Sequence, residues 1–183
     1  MIKIIYLAAG NAIIYKYNNL ITYNDFYIKR DLVCDMLQVD LSNYDILIAT
    51  PPCNYFSRAR GNCKPSAYAE STKHLLPTII KKFKNTGKVF IVENVINKVK
   101  MKEIINGNSD IFYYEHGRHS YFTNIMINFK GIPQAFDFKF GGNFINKDSD
   151  RQGGKNVNDV LEHFIDFILL NKNLQQQLKA NLK

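Results

Sequence analysis

Two unbroken apolar runs with a helical stripe between them constrain this chain more than any other feature. "YDILIAT" (Tyr44–Thr50) is apolar from Ile46 to Ala49 and is stopped by Pro51. "GKVFIVENV" (Gly87–Val95) is a second such run, and it ends in the carboxylate of Glu93. Between them, "SAYAESTKHLLPTIIKKF" (Ser66–Phe83) carries apolar residues at 68, 75, 76, 79, 80 and 83, a helical spacing with a kink predicted at Pro77. Strands apolar on both faces and joined through a helix belong to a parallel sheet with right-handed crossovers.

The rest of the chain extends this pattern. "KIIYLA" (Lys3–Ala8) reads as a first buried strand rather than a signal peptide, because no basic segment precedes a long apolar one. "NLITYND" (Asn19–Asp25) reads as a second strand ending in a carboxylate, and "DLVCDM" (Asp31–Met36) as a short third. Only residues 11–24 separate Gly10 from Asp25, too few for a full helix between strands. "SYFTNIMINF" (Ser120–Phe129) reads as a strand or hairpin arm, and Gly131–Gly154 as loop. From Asn156 the chain turns helical, with 157, 160, 161, 164, 165 and 168 facing the core and a polar tail beyond Lys172. The expectation is one α/β domain over residues 1–183, its mostly parallel sheet flanked by helices.

Charge and cysteines narrow the setting. A formal net charge of +8 suits a polyanionic partner, although an AT-rich coding sequence would also enrich lysine. Trp is absent, but 11 Tyr and 13 Phe leave ample stacking surface. Three cysteines (Cys34, Cys53, Cys63) cannot all pair within one chain and form no C-x-x-C, so reduced thiols in a cytoplasm are expected. His116 and His119 are the nearest thing to a metal pair, nothing beside them completes a site, and no metal is expected. No apolar run reaches the roughly 20 residues of a membrane span.

In an open parallel sheet, ligands collect at the carboxyl ends of the strands. Cys53 follows one strand end, Asp25 closes another, and Glu93 with Asn94 closes a third. A thiol on a double-proline turn, with Arg58 and Arg60 close behind, has the surroundings of a nucleophile.

Those residues resemble a known family. "PPCNYFS" (Pro51–Ser57) followed by "VENV" (Val92–Val95) is similar to the Pro-Cys-Gln-x-Phe-Ser and Glu-Asn-Val motifs of the cytosine-5 DNA methyltransferases, particularly small phage-type members. "HGRHSYF" (His116–Phe122) resembles the family's Gln-x-Arg-x-Arg, with Arg118 matching the first arginine. "RQGGKNVNDVLEHFIDFI" resembles its final motif, a Gly-Asn segment opening the last helix. The resemblance implies a Rossmann-like methyltransferase domain that uses S-adenosylmethionine, acts on DNA, and works in the cytoplasm of a bacterial or phage-infected cell. It implies catalytic roles for Cys53, Glu93, Asn94 and Arg118: attack at C6 of cytosine, contact to N3, orientation of the loop, and contact to O2. It implies cofactor contacts from Ala8, Gly10, Asp25, Asp35, Pro51 and Asn156.

Three departures from the family pattern carry expectations of their own. The first motif, Phe-x-Gly-x-Gly in the family, reads "YLAAGNA" here, which points to weak or remodelled cofactor binding. Asn54 replaces Gln, and Ser120 replaces the second Arg, a loss of a bidentate guanidinium. The short stretch between "HGRHSYF" and the last helix leaves no room for a target-recognition domain. Weakly specific or single-stranded DNA, a partner chain that supplies recognition, or another cytosine-bearing substrate (RNA or a nucleotide) all follow from that. A catalytically silent nucleic-acid-binding homologue, and a thiol enzyme acting on pyrimidine nucleotides without the cofactor, are the competing readings.

Overall fold

The computed structural model describes residues 2–56, 64–95, 104, 110–116, 119–127 and 147–171, with backbone alone for 147–156. The strands are β1 (Ile4–Leu7), β2 (Ile21–Asp25), β3 (Leu32–Val33), β4 (Ile46–Ala49), β5 (Val89–Asn94), β6 (Phe112–His116) and β7 (His119–Thr123). Among the described residues the helices are α1 (Ala67–Thr72), α2 (Leu75–Asn85) and α3 (Lys147–Leu170), and Ile104 is also helical. Among the described residues one seven-stranded sheet runs in the order β3-β2-β1-β4-β5-β7-β6. Strands β1 to β5 pair in parallel, and β7 lies antiparallel to both β5 and β6, so β7 alone is reversed. This mixed α/β architecture, a mostly parallel sheet with helices on both faces, is the one expected from the sequence.

Alternation along the strands divides the core in two. One face carries Ile4, Tyr6, Ile46, Ile48, Ile91 and Tyr121, and α3 covers it with Val160, Leu161, Phe164, Ile165 and Ile168. The other carries Ile5, Leu7, Leu47, Ala49, Phe90 and Phe122 under Leu76, Ile79, Ile80 and Phe83 of α2. No helix lies between β1 and β2, where a single 3-10 turn (Tyr15–Tyr17) stands instead. The last helix therefore covers the face that a β1–β2 crossover helix would otherwise reach.

Several expectations need correction. The stretch 66–83 is two helices rather than one kinked helix. Ser66 caps α1 by accepting from the Ala69 N–H, and the chain breaks at Lys73–His74. Pro77 then falls in the first turn of α2, where its missing N–H is no loss. The third strand shrinks to two residues. Strands β2 and β3 are parallel yet joined by residues 26–31 alone, about half a normal crossover. Side chains replace the ladder: Asp31 accepts from the Tyr23 N–H at 2.8 Å, and Asn24 Nδ2 donates to the carbonyls of Leu32 and Cys34. Beyond Cys34 the Asp35 carboxylate accepts from the Leu37 N–H at 2.9 Å and turns the chain away. Strand β6 was not anticipated. Helix α3 begins at Lys147, so residues 147–154, read as loop, are helical, and Asn156 sits well inside the helix rather than at its start.

Part of the positive charge is structural. Lys82 Nζ donates to the carbonyls of Leu37 and Val39, and Lys88 Nζ to those of Leu41 and Ser42, which holds segment 37–42 against α2 and β5. Among the described residues, no helix is long and apolar enough to cross a membrane.

Candidate active site

The carboxyl ends of β1, β2, β4 and β5, with the start of β7, form one rim. Pro51 and Pro52 carry the chain out of β4 into a turn closed by the Phe56 N–H donating to the Cys53 carbonyl at 3.0 Å. Phe56 is buried in the α2-side core, with its ring 5.1 Å from that of Tyr55. The turn is thereby anchored from below, and Cys53 stays half-buried on it. Asn94, fully buried at the end of β5, donates from Nδ2 to the Pro51 carbonyl at 2.9 Å. Its Oδ1 has no partner among the described residues. The cysteine turn and the end of the strand bearing Glu93 are thus tied by a direct hydrogen bond.

Glu93 points to the opposite face from Asn94, toward Tyr6 and Tyr121. Burial pushes the hydroxyls of both tyrosines well above the ordinary tyrosine range, with Glu93 adding to the effect, so both stay protonated beneath it. Glu93 itself is 7% exposed. Its Oε1 lies 2.6 Å from Nδ1 of His119. The pairing of β5 with β7 explains this contact: Glu93 stands opposite Tyr121, which puts His119 on the near diagonal of the same face. Ser120 faces the other way, its Oγ 3.0 Å from the Tyr113 hydroxyl. His116 is the cross-strand partner of His119. Among the described residues, no three His, Cys, Asp or Glu side chains are grouped to hold a metal ion. Arg118, Ser57, Arg58, Arg60 and Cys63 lie outside the described residues, as does the side chain of Asn156.

The turn after β1 holds the cofactor candidates. Ala8 has φ +53° and Gly10 φ +56°, both left-handed. The Ala8 carbonyl accepts from Thr50 Oγ1 at 2.9 Å, and the Ala9 N–H donates to the Asn24 carbonyl at 3.0 Å. The Gly10 N–H donates to Asp25 Oδ2 at 2.9 Å, while Asp25 Oδ1 accepts from the N–H groups of Tyr27 and Ile28. Arg30 closes the loop from outside. Its Nε donates to the Gly10 carbonyl at 2.8 Å, a terminal nitrogen reaches the same carbonyl, and its guanidinium lies 5.7 Å from the Tyr23 ring centre.

S-adenosylmethionine, which the resemblance implies, fits this edge of the rim. The α-carbon face of Gly10 opens on space in which a Cβ would meet nothing within 4 Å. Asp25 keeps about one of its four lone-pair positions after three backbone donors. Asp35, past the end of β3, uses one oxygen on its own turn. No helix N-terminus follows the glycine turn, so the backbone N–H groups act without a helix dipole behind them.

Four residues of this rim escaped the sequence reading as site residues: Asn24, Arg30, Thr50 and His119. Of these only His119 left a trace, in "HGRHSYF", where the spacing to His116 suggested a metal pair rather than a contact to Glu93.

Comparison with known proteins agrees with the geometry. The family model described as C-5 cytosine-specific DNA methylase matches residues 11–116, more than half of the chain. No curated protein matches the chain. With the cysteine turn and the glutamate strand end inside the matched segment, the chain belongs to the C-5 cytosine-specific DNA methylase family.

Proposed function

We propose that this chain transfers a methyl group from S-adenosylmethionine to C5 of cytosine in DNA through a covalent adduct on Cys53. The observation that carries the reading is the hydrogen bond from Asn94 to the Pro51 carbonyl, because it couples the nucleophile's turn to the strand end that presents Glu93. The thiolate of Cys53 adds to C6, and its electron pair forms the S–C6 bond. The displaced ring electrons need a proton at N3, and Glu93 is the group on the rim that can deliver one. Arg118 holds O2 in this reading, and Asn94 keeps the cysteine turn in place. The bound cofactor supplies an electrophilic methyl on a sulfonium. Loss of the C5 proton to a base then releases Cys53 by β-elimination. A cytosine inside a duplex must first flip out of the stack, at about a few kcal/mol. Ala8, Gly10, Asp25, Asp35, Pro51 and Asn156 are the proposed cofactor contacts. Recognition of sequence falls to a partner chain or is weak, and single-stranded DNA avoids the flipping cost.

The test is methyl transfer from labelled S-adenosylmethionine to DNA, with nucleosides read by mass spectrometry. The expected product is 5-methylcytosine, abolished by Cys53→Ser. A label on another atom, or a Cys53→Ser enzyme of normal rate, overturns the reading. A catalytically silent nucleic-acid-binding homologue is the second reading, favoured by the three backbone donors already on Asp25. Calorimetry with S-adenosylmethionine separates the two, since the silent form gives no binding heat.

A further inference from the structure

We propose that His119 is the positioning residue of the Glu93 carboxyl, holding Oε1 through Nδ1 so that Oε2 is aimed at the pyrimidine edge. The inference rests on the reading of Glu93 as the group that meets cytosine N3. Two facts point to His119. Its Nδ1 lies 2.6 Å from Oε1 with both side chains close to buried, at 12% and 9% exposure. In addition, the β7 register turns position 119, and not position 120, toward Glu93. The arginine that Ser120 replaces in the family pattern would therefore not restore this contact, because position 120 faces away from Glu93.

The chemistry follows from the contact. A glutamate side chain has three rotatable bonds and would sample several rotamers in an open pocket. An imidazole N–H on one oxygen removes that freedom and fixes which oxygen faces the substrate. When the Oε2 proton passes to N3, the O–H electron pair stays on the carboxyl. The charge that develops is then met at Oε1 by a donor already in place. The proton returns from N3 to Oε2 when the adduct collapses, so the pair ends as it began. Tyr6 from β1 and Tyr121 from β7 lie near the pair as neutral hydroxyls, and Val160, Leu161, Phe164, Ile165 and Ile168 of α3 are apolar. His116 stands across the hairpin, and Cys53 is reserved for C6.

Two measurements decide it. The first is proton NMR of the free protein, which does not depend on turnover. The hydrogen-bonded imidazole N–H of His119 is expected as a far-downfield resonance in slow exchange, lost in Glu93→Leu, which has no acceptor, and kept in His116→Gln. Absence of that resonance, or its survival in Glu93→Leu, overturns the contact. The second is steady-state methyl transfer. His119→Leu is expected to lower kcat about 10- to 100-fold with KM for DNA little changed, and His119→Asn, which keeps an N–H donor, to recover most of the loss. A loss confined to KM, or equal loss in both variants despite native circular dichroism, overturns the role. A wild-type protein that shows the NMR contact but transfers no methyl group refutes the methyltransferase reading and leaves the contact standing.

Discussion

Asn94 Nδ2 lies 2.9 Å from the Pro51 carbonyl oxygen, and this one contact joins the cysteine turn to the glutamate strand across 43 residues of chain. Replacing Asn94 by Ala strands a buried carbonyl, at a cost of about 1–3 kcal/mol. It also frees the turn, and a shift of the thiol by about 1 Å would lower methyl transfer on the order of 100-fold. Asn94→Asp should be no better than Ala, because an acceptor would then face an acceptor. Denaturant unfolding and single-turnover assays measure the two effects separately.

By the sequence resemblance Ala8 stands at the first glycine of a Phe-x-Gly-x-Gly turn, and its φ of +53° is a conformation that favours glycine. A non-glycine residue in the left-handed region costs about 1–2 kcal/mol. Glycine loses about 0.5–1 kcal/mol of that gain to chain entropy. Ala8→Gly should therefore stabilise by about 0.5–1 kcal/mol and raise Tm by about 1–4 °C. Ala8→Val should lower Tm, since a β-branched residue tolerates positive φ worst. Differential scanning calorimetry reads both.

Arg30 reaches over the first turn to the carbonyls of Gly10 and Ala12. Arg30→Met keeps most of the length and removes the donors. Its expected effect is a weaker S-adenosylmethionine Kd, by about 10-fold if one charge-assisted bond's worth of order is lost. DNA affinity should change far less. Titration calorimetry with each ligand distinguishes a loosened cofactor turn from general unfolding.

Lys16 and Tyr17, on the 3-10 turn, both donate to Asp166 of α3. Burial alone would push the Asp166 carboxyl up, but hydrogen bonds from Lys16 and Tyr17 outweigh it and hold the carboxyl below its usual range. A carboxyl depressed in the folded state contributes stability above its unfolded value, about 3.9, and loses it as pH falls through the folded one. Asp166→Asn should thus be less stable than the parent near pH 7, and the difference should shrink steadily below about pH 4. Urea midpoints across that range give the comparison.

What could be read from the chain divides along physical lines. Strands β4 and β5 are apolar on both faces, so "DILIA" and "VFIV" announce themselves without reference to anything else. The first and second strands were equally plain, and so was the apolar stripe of α3. Strand β6 was not, because Phe112, Tyr113 and Tyr114 are only half-buried and show no alternation until β7 is laid beside them. The start of α3 was hidden because Gly153 and Gly154 argue against a helix that the backbone nevertheless forms. At the rim, Cys53, Glu93 and Asn94 could be named from motif and strand end alone. His119 could not be assigned, since its contact exists only through the register of β7 on β5, and registry between distant segments is not written in either one. Arg30 and Asn24 act on backbone carbonyls, which leave no mark in sequence.

The helix that covers the sheet over Tyr6 and Ile91 follows all five parallel strands β1 to β5 in the chain. Until Phe164 and Ile168 have left the ribosome, that side of the strands lacks the apolar side chains that α3 lays on it. A nascent chain stopped before residue 157 should therefore display its apolar strands to chaperones.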